Sequence, residues 1–177
     1  MPASPDALLQ DAEGRSVLRF ERLLREPPPV VWNALTDAGE LRSWHPSPFE
    51  LEPAVGGAVR YLEPQGTALG VGEVLEYDPP RVLAYTWGDD RLRWELQPHD
   101  EGCVLVLEHI FDDRFKAARD AAGWHLCLDA LARSLAGDAP SAPAGEPAIP
   151  AEWRELNAAY EQRFAIPADE ATPPPTG

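Results

Sequence analysis

Six aromatic and imidazole residues fall where they could hold a ligand: Trp44, Tyr85, Trp87, Trp94, His109 and Trp124. Leu83, Tyr85 and Trp87 alternate along one stretch, as do Leu92, Trp94 and Leu96 along the next, and Leu105, Leu107 and His109 along a third. Alternation of period two puts each trio on one face of a strand. If those are concave faces, Trp87, Trp94 and His109 look toward a helix carrying Trp124. Rings gathered about one space predict a pocket for a flat or greasy molecule with one or two polar anchors. A core that the rings fill completely is the competing expectation. Trp44 stands with His45 and Pro46 where helix gives way to loop, near the expected cavity mouth.

His109 carries the most chemistry. An imidazole on an apolar inner face needs a hydrogen-bond partner, and it could polarise a ligand carbonyl or move a proton. Glu108 points to the opposite face, so the adjacent pair is not a dyad. A gating or surface position is expected for His45, a turn for His99, and the edge of the inner stripe for His125. Arg22 shares the face of Leu18 and Phe20, which predicts a half-buried arginine in a structural ion pair. Metal chemistry finds no support in the spacing: there is no HExxH, CxxC or paired-His pattern. No GxSxG elbow is present, and GTALGVGE lies between strands, where its glycines permit bends rather than cradle phosphate. Cys103 and Cys127 sit in apolar patterns, as small buried hydrophobes do. No cofactor is expected.

The elements that must position these residues follow from periodicity and turn chemistry. Trp124, Leu128, Leu131 and Leu135 recur at helical spacing between Gly123 and Gly137, which predicts a long helix with a second, smaller apolar face at Leu126 and Ala130. Strands are expected at Ser16–Arg25, Phe49–Glu52, Ala58–Glu63, Val71–Tyr77, Val82–Trp87, Leu92–Gln97 and Cys103–Phe111. The short turn clusters between the later ones require antiparallel neighbours. Pro27-Pro28-Pro29 presets a helix start, and two short helices are expected before Pro46. Residues 1–13 are read as a flexible arm and 138–150 as a Pro/Ala-rich linker. Over 151–166, Trp153, Leu156, Tyr160 and Phe164 form one helical stripe that should dock on the domain, and 167–177 is read as a disordered tail.

Composition narrows the partners. Thirty acidic residues against fifteen basic ones give a formal charge of −15, which argues against nucleic acid and anionic membrane. Fourteen of the basic residues are Arg, and Lys116 is the one lysine. The N-terminus lacks the basic start and apolar core of a signal peptide, and no uncharged apolar run reaches the ~18–20 residues of a membrane span. A cytoplasmic location fits these features.

Five stretches, taken in order, resemble one family closely: PPPVVWNALTDAGELRSWH, the Gly56-Gly57 turn, GEVLEYDPPRVLAYTW, LRWELQPHDEGCVLVLEH and GWHLCLDALARSLAG. The family is the activator-of-heat-shock-protein-90-ATPase homologue branch of the START-like (SRPBCC) superfamily. The resemblance runs from Pro27 to Gly137, and the helix at 151–166 resembles an extension found in some bacterial members. It implies an α+β helix-grip domain over 14–137, in which a seven-stranded curved antiparallel sheet wraps a long C-terminal helix, with two short helices after the first strand. It also implies a cavity between sheet and helix. The function expected is binding of a small hydrophobic or aromatic molecule there. Two alternatives use the same fold: a cyclase or dehydratase with His109 or Tyr85 as proton shuttle, and a chaperone-associated interaction module acting through its outer surface. Binding ranks ahead of catalysis.

Overall fold

The computed structural model describes residues 4–62, 68–138, 150–167 and 169–173. Its strands, in chain order, are β1 (Leu8–Ala12), β2 (Arg15–Leu24), β3 (Phe49–Leu51), β4 (Ala58–Leu62), β5 (Ala68–Asp78), β6 (Val82–Trp87), β7 (Asp90–His99) and β8 (Gly102–Phe111). Four helices complete it: α1 (Pro28–Thr36), α2 (Ala38–Leu41), α3 (Ala117–Leu135) and α4 (Ala151–Phe164). The strands form one antiparallel sheet in the order β1-β2-β8-β7-β6-β5-β4-β3. The first long strand, β2, pairs with the last, β8, without a register shift, setting Leu18 opposite His109 and Phe20 opposite Leu107.

Alternation decides what each strand buries. On β7, Leu92, Trp94 and Leu96 are buried while Arg91, Arg93 and Glu95 face outward or stay half-covered. On β8, Leu105, Leu107, His109 and Phe111 turn inward against α3, whose Ala118, Ala121, Trp124, Leu128 and Leu131 are buried. The outer face is laced by charge, with Arg19 donating to Glu108 at 2.9 Å and Arg93 to Glu76 at 3.0 Å. Sheet and helix thus bury complementary apolar faces, which is the main driving force for this arrangement.

Four expectations need correcting. The arm read over 1–13 contains an eighth strand, β1, which pairs with β2 across the two-residue loop Glu13-Gly14. Both loop residues have positive φ, 53° and 81°, the geometry that lets a tight hairpin follow the strand twist. The long helix begins at Ala117 rather than Gly123: a single 3-10 turn, Arg114–Lys116, leads into it, with the Asp113 carboxylate accepting from the Phe115 N–H. The tail read as disordered from 167 folds back in part, since Thr172 N–H donates to the Phe115 carbonyl at 3.2 Å. His45 and His125, placed at a surface and an edge, are both buried. The linker read over 138–150 lies, apart from its two end residues, outside the described residues.

The helix α4 packs along α3, burying Trp153, Leu156, Tyr160 and Phe164. Its stripe also holds the N-terminal segment: the Tyr160 hydroxyl accepts from the amides of Asp6 and Ala7 at 3.2 and 3.3 Å and lies 2.9 Å from His125 Nδ1. Arg163 adds a bond to the Ala7 carbonyl at 2.9 Å. Arg22 is half-buried as expected, ion-paired with Asp6 and lying over the Phe20 ring.

Candidate functional site

A recess of about 440 Å³ opens between α3, α4 and the sheet at the end where β6 turns into β7. Three sequence-expected residues line it: Trp87, His109 and Trp124. Each is there for a local reason. Trp87 ends β6, and the tight turn Gly88-Asp89 sets Asp90 directly across from it. His109 lies two residues from the end of β8 on the inner face, flanked in register by Leu18 and Leu92. Trp124 projects from α3 onto all of these, 5.7 Å from Trp87 and 6.1 Å from His109, edge to face.

The other three expected residues lie behind that wall rather than in it. Trp44 is buried, donates its indole N–H to the Ala34 carbonyl at 3.0 Å, and meets Trp94 edge-on at 5.6 Å. Trp94 in turn backs Trp124 at 5.6 Å and donates to the Tyr85 hydroxyl at 3.2 Å. Tyr85 is fully buried, and burial pushes its hydroxyl well above the ordinary tyrosine range, so it holds its proton. These three are a packed aromatic floor. His45 joins them: Ser47 N–H donates to its Nδ1 at 3.0 Å, which leaves the proton on Nε2, 3.2 Å from Tyr85. Burial depresses its pKa from 6.5 to about 3.

The recess has a charged end. The Trp124 indole N–H donates to His109 Nδ1 at 3.1 Å, so the neutral ring carries its proton on Nε2 and donates it to Asp90 Oδ2 at 2.8 Å. Lys116 donates to the same oxygen at 2.5 Å and lies 3.8 Å from Asp120, whose other oxygen accepts from Arg119 at 2.9 Å. Burial alone would raise the Asp90 carboxyl, but the bonds from His109 and Lys116 outweigh it and hold the group below the usual carboxylate range. An alternating chain of donors and acceptors therefore runs from the buried imidazole out to Arg119. Two carboxylates and two cations leave it neutral. Ligand atoms of Asp90, His109 and Asp120 lie within 4.8 Å of one another, a set that could hold a cation, and Lys116 already places one between the carboxylates.

Beyond this chain the lining is apolar: Pro46, Gly123, Cys127 and Trp153 join the two tryptophans. Cys127 is no nucleophile, because burial pushes its thiol up to about 12. Sequence reading missed most of these residues, and two signals could have found them. Asp90 continues the inner-face alternation of Leu92, Trp94 and Leu96 one step back. Lys116, Asp120, Gly123 and Cys127 keep helical spacing, a stripe that a helix beginning at Gly123 cuts in half.

Comparison with known proteins bears on the family and fold. Residues 25–136 match the family described as "Activator of Hsp90 ATPase homolog 1-like protein". The fold is shared with the conserved protein of unknown function EF2215 from Enterococcus faecalis, at 20% identity over 91% of this chain and 92% of that one, with a TM-score of 0.70. It is shared too with CalU16 from Micromonospora echinospora, at 20% identity over 90% and 98% with a TM-score of 0.66. The protein encoded by gene BPP1335 from Bordetella parapertussis is 29% identical over 93% of both chains, with a TM-score of 0.61. A comparison with curated proteins gives no match. With more than half its length matched in order, and with the helix-grip architecture in place, the chain belongs to the activator of Hsp90 ATPase homolog 1-like family.

Proposed function

We propose that this chain binds a small hydrophobic or aromatic molecule in the recess, with the ligand's polar group at the charged end. The observation that carries this reading is the convergence of Trp87, Trp124 and Trp153 on one open space whose polar residues are gathered at a single end. A bicyclic aromatic burying about 200 Å² of apolar surface gains roughly 5 kcal/mol there before association costs. The neutrality of the chain from Asp90 to Arg119 favours a hydroxyl or carbonyl over a full charge on the ligand.

Proton transfer is the second reading, favoured by the 2.8 Å bond between His109 and Asp90 on the recess wall. It ranks below binding, because the Trp124 N–H occupies Nδ1 and leaves the ring no free lone pair for a ligand proton. Isothermal titration with 2-naphthol, alongside native mass spectrometry of freshly purified protein, tests the binding reading. A saturable heat that falls about tenfold in affinity in Trp87→Leu or Trp124→Leu supports it. No co-purifying mass and no saturable heat would sink it and put the outer-surface interaction reading in its place.

A further inference from the structure

Lys116, just before α3, and then Asp120, Gly123 and Cys127 of the helix face the recess, and the middle one of those three has no side chain. Glycine in the interior of a helix is a cost, since it surrenders more backbone freedom than any other residue. Several other glycines among the described residues have a structural reason. A β-carbon on Gly72 would stand 2.4 Å from the Thr86 carbonyl, and Gly14 holds a φ of 81° in the β1–β2 turn. Gly123 has neither reason: its backbone is ordinary helix, and an added β-carbon would meet nothing within 4 Å. Its neighbours at three and four positions on either side, Asp120 and Cys127, both line the recess, so helix geometry sends that β-carbon into the same space.

We propose that Gly123 sets the shape of the recess, leaving a slot in which the edge of a flat ring system lies against the bare backbone of α3 between Trp124 and Trp153. This rests on the ligand-binding reading above and deepens it. The ligand class follows from the slot: a planar, fused-ring molecule carrying a neutral oxygen, rather than a branched or globular aliphatic of equal volume. The glycine divides the stripe, with the charged pair Lys116 and Asp120 on its N-terminal side and apolar Cys127 on the other. A ring lying across it therefore reaches both ends of the recess at once. A methyl group at this position would stand where the ring edge goes.

Gly123→Ala separates fold from site. The variant should melt about 2–4 °C higher than the parent, because alanine is the better helix former and nothing obstructs it. Titration then uses three probes: phenol, 2-naphthol and 1-adamantanol. The parent should bind 2-naphthol at least tenfold more tightly than 1-adamantanol. Gly123→Ala should weaken 2-naphthol tenfold or more while changing phenol, a single ring that can sit clear of the methyl, less than twofold. Gly123→Val should abolish 2-naphthol binding with the fold retained by circular dichroism. A lower melting temperature in Gly123→Ala would show that the glycine serves packing and overturn the inference. Unchanged 2-naphthol affinity in that variant would overturn it while leaving the binding reading intact, as would equal binding of 1-adamantanol and 2-naphthol by the parent. Failure of both phenol and 2-naphthol to bind the parent would remove the binding reading and this inference together.

Discussion

His45 should make the protein acid-sensitive well above the range where carboxylates titrate. Its imidazole is buried among Phe49, Trp44 and Trp124, with Nδ1 tied to the Ser47 amide and Nε2 to Tyr85, and no carboxylate among the described residues bonds to it. Burial lowers its folded pKa to about 3, against 6.5 when the chain is unfolded. The sign follows from proton counting: between those values the unfolded state binds the proton and the folded state does not, so stability rises with pH across the window. The contribution is complete above the unfolded value and is lost progressively as the pH falls toward the folded one. At about 1.4 kcal/mol per unit, lowering the pH from 7 to 5 costs roughly 2 kcal/mol, and lowering it to 4 roughly 3 kcal/mol. Either is a large part of a typical total of about 5–15 kcal/mol. Urea denaturation at pH 7 and pH 5 measures the loss, and His45→Gln isolates it: the variant should be less stable at pH 7 yet lose about 2 kcal/mol less than the parent between the two. An NMR titration gives the direct check, with the His45 ring resonances flat from pH 8 to pH 5. A ring that titrates near 6.5, or a variant with the parent's pH dependence, would refute the account.

Two further outcomes follow from other buried polar contacts. Tyr160→Phe strips one hydroxyl from the Asp6 and Ala7 amides and from His125, leaving buried groups unsatisfied; a loss of about 1–3 kcal/mol and a melting temperature lower by about 2–12 °C are expected, with faster amide exchange at Ala7. A variant within about 0.5 kcal/mol of the parent would show that the hydroxyl is idle. Asp90→Asn removes a carboxylate held below its ordinary value of 3.8. Such a group stabilises the fold above that value and loses the contribution as pH falls through its lower folded pKa, so the parent should exceed the variant by about 1.5–3 kcal/mol at pH 7, with the gap closing below pH 3.8. A gap that is constant with pH would deny the carboxylate its role.

Legibility tracked how local the determining physics is. The alternation in β6, β7 and β8 decides which side chains face α3, and it brings Trp87 and His109 to the side where Trp124 lies. Period-two patterns carry that information because a strand has only two faces. The same rule could not separate a wall from a floor. Tyr85, Trp94 and Trp44 point the right way but lie one ring deeper, and depth depends on how α1, α2 and the loop at His45 fill the space. Strand β1 was hidden because its Leu8 and Leu9 look like a frayed end until the positive-φ turn at Glu13-Gly14 is recognised. His45 and His125 were misplaced for a similar reason: each is a polar residue buried by partners far away in sequence, Tyr85 and Tyr160.

The family match bears unequally on different parts of the molecule. It covers residues 25–136, which include α3 and the strands that present Trp87, Asp90 and His109. It leaves out β1, β2 and α4. Yet Trp153 of α4 forms a wall of the recess, and the helix that carries it is held in place by Tyr160 and Arg163 against Asp6 and Ala7. The N-terminal segment at Asp6 and Ala7 is therefore clasped to α4, and that clasp positions one face of the recess. A recess built partly from elements outside the matched segment takes part of its shape from α4. If the recess binds a ligand as proposed, its preference should depend on Trp153, outside the matched segment, as well as on Gly123 within it.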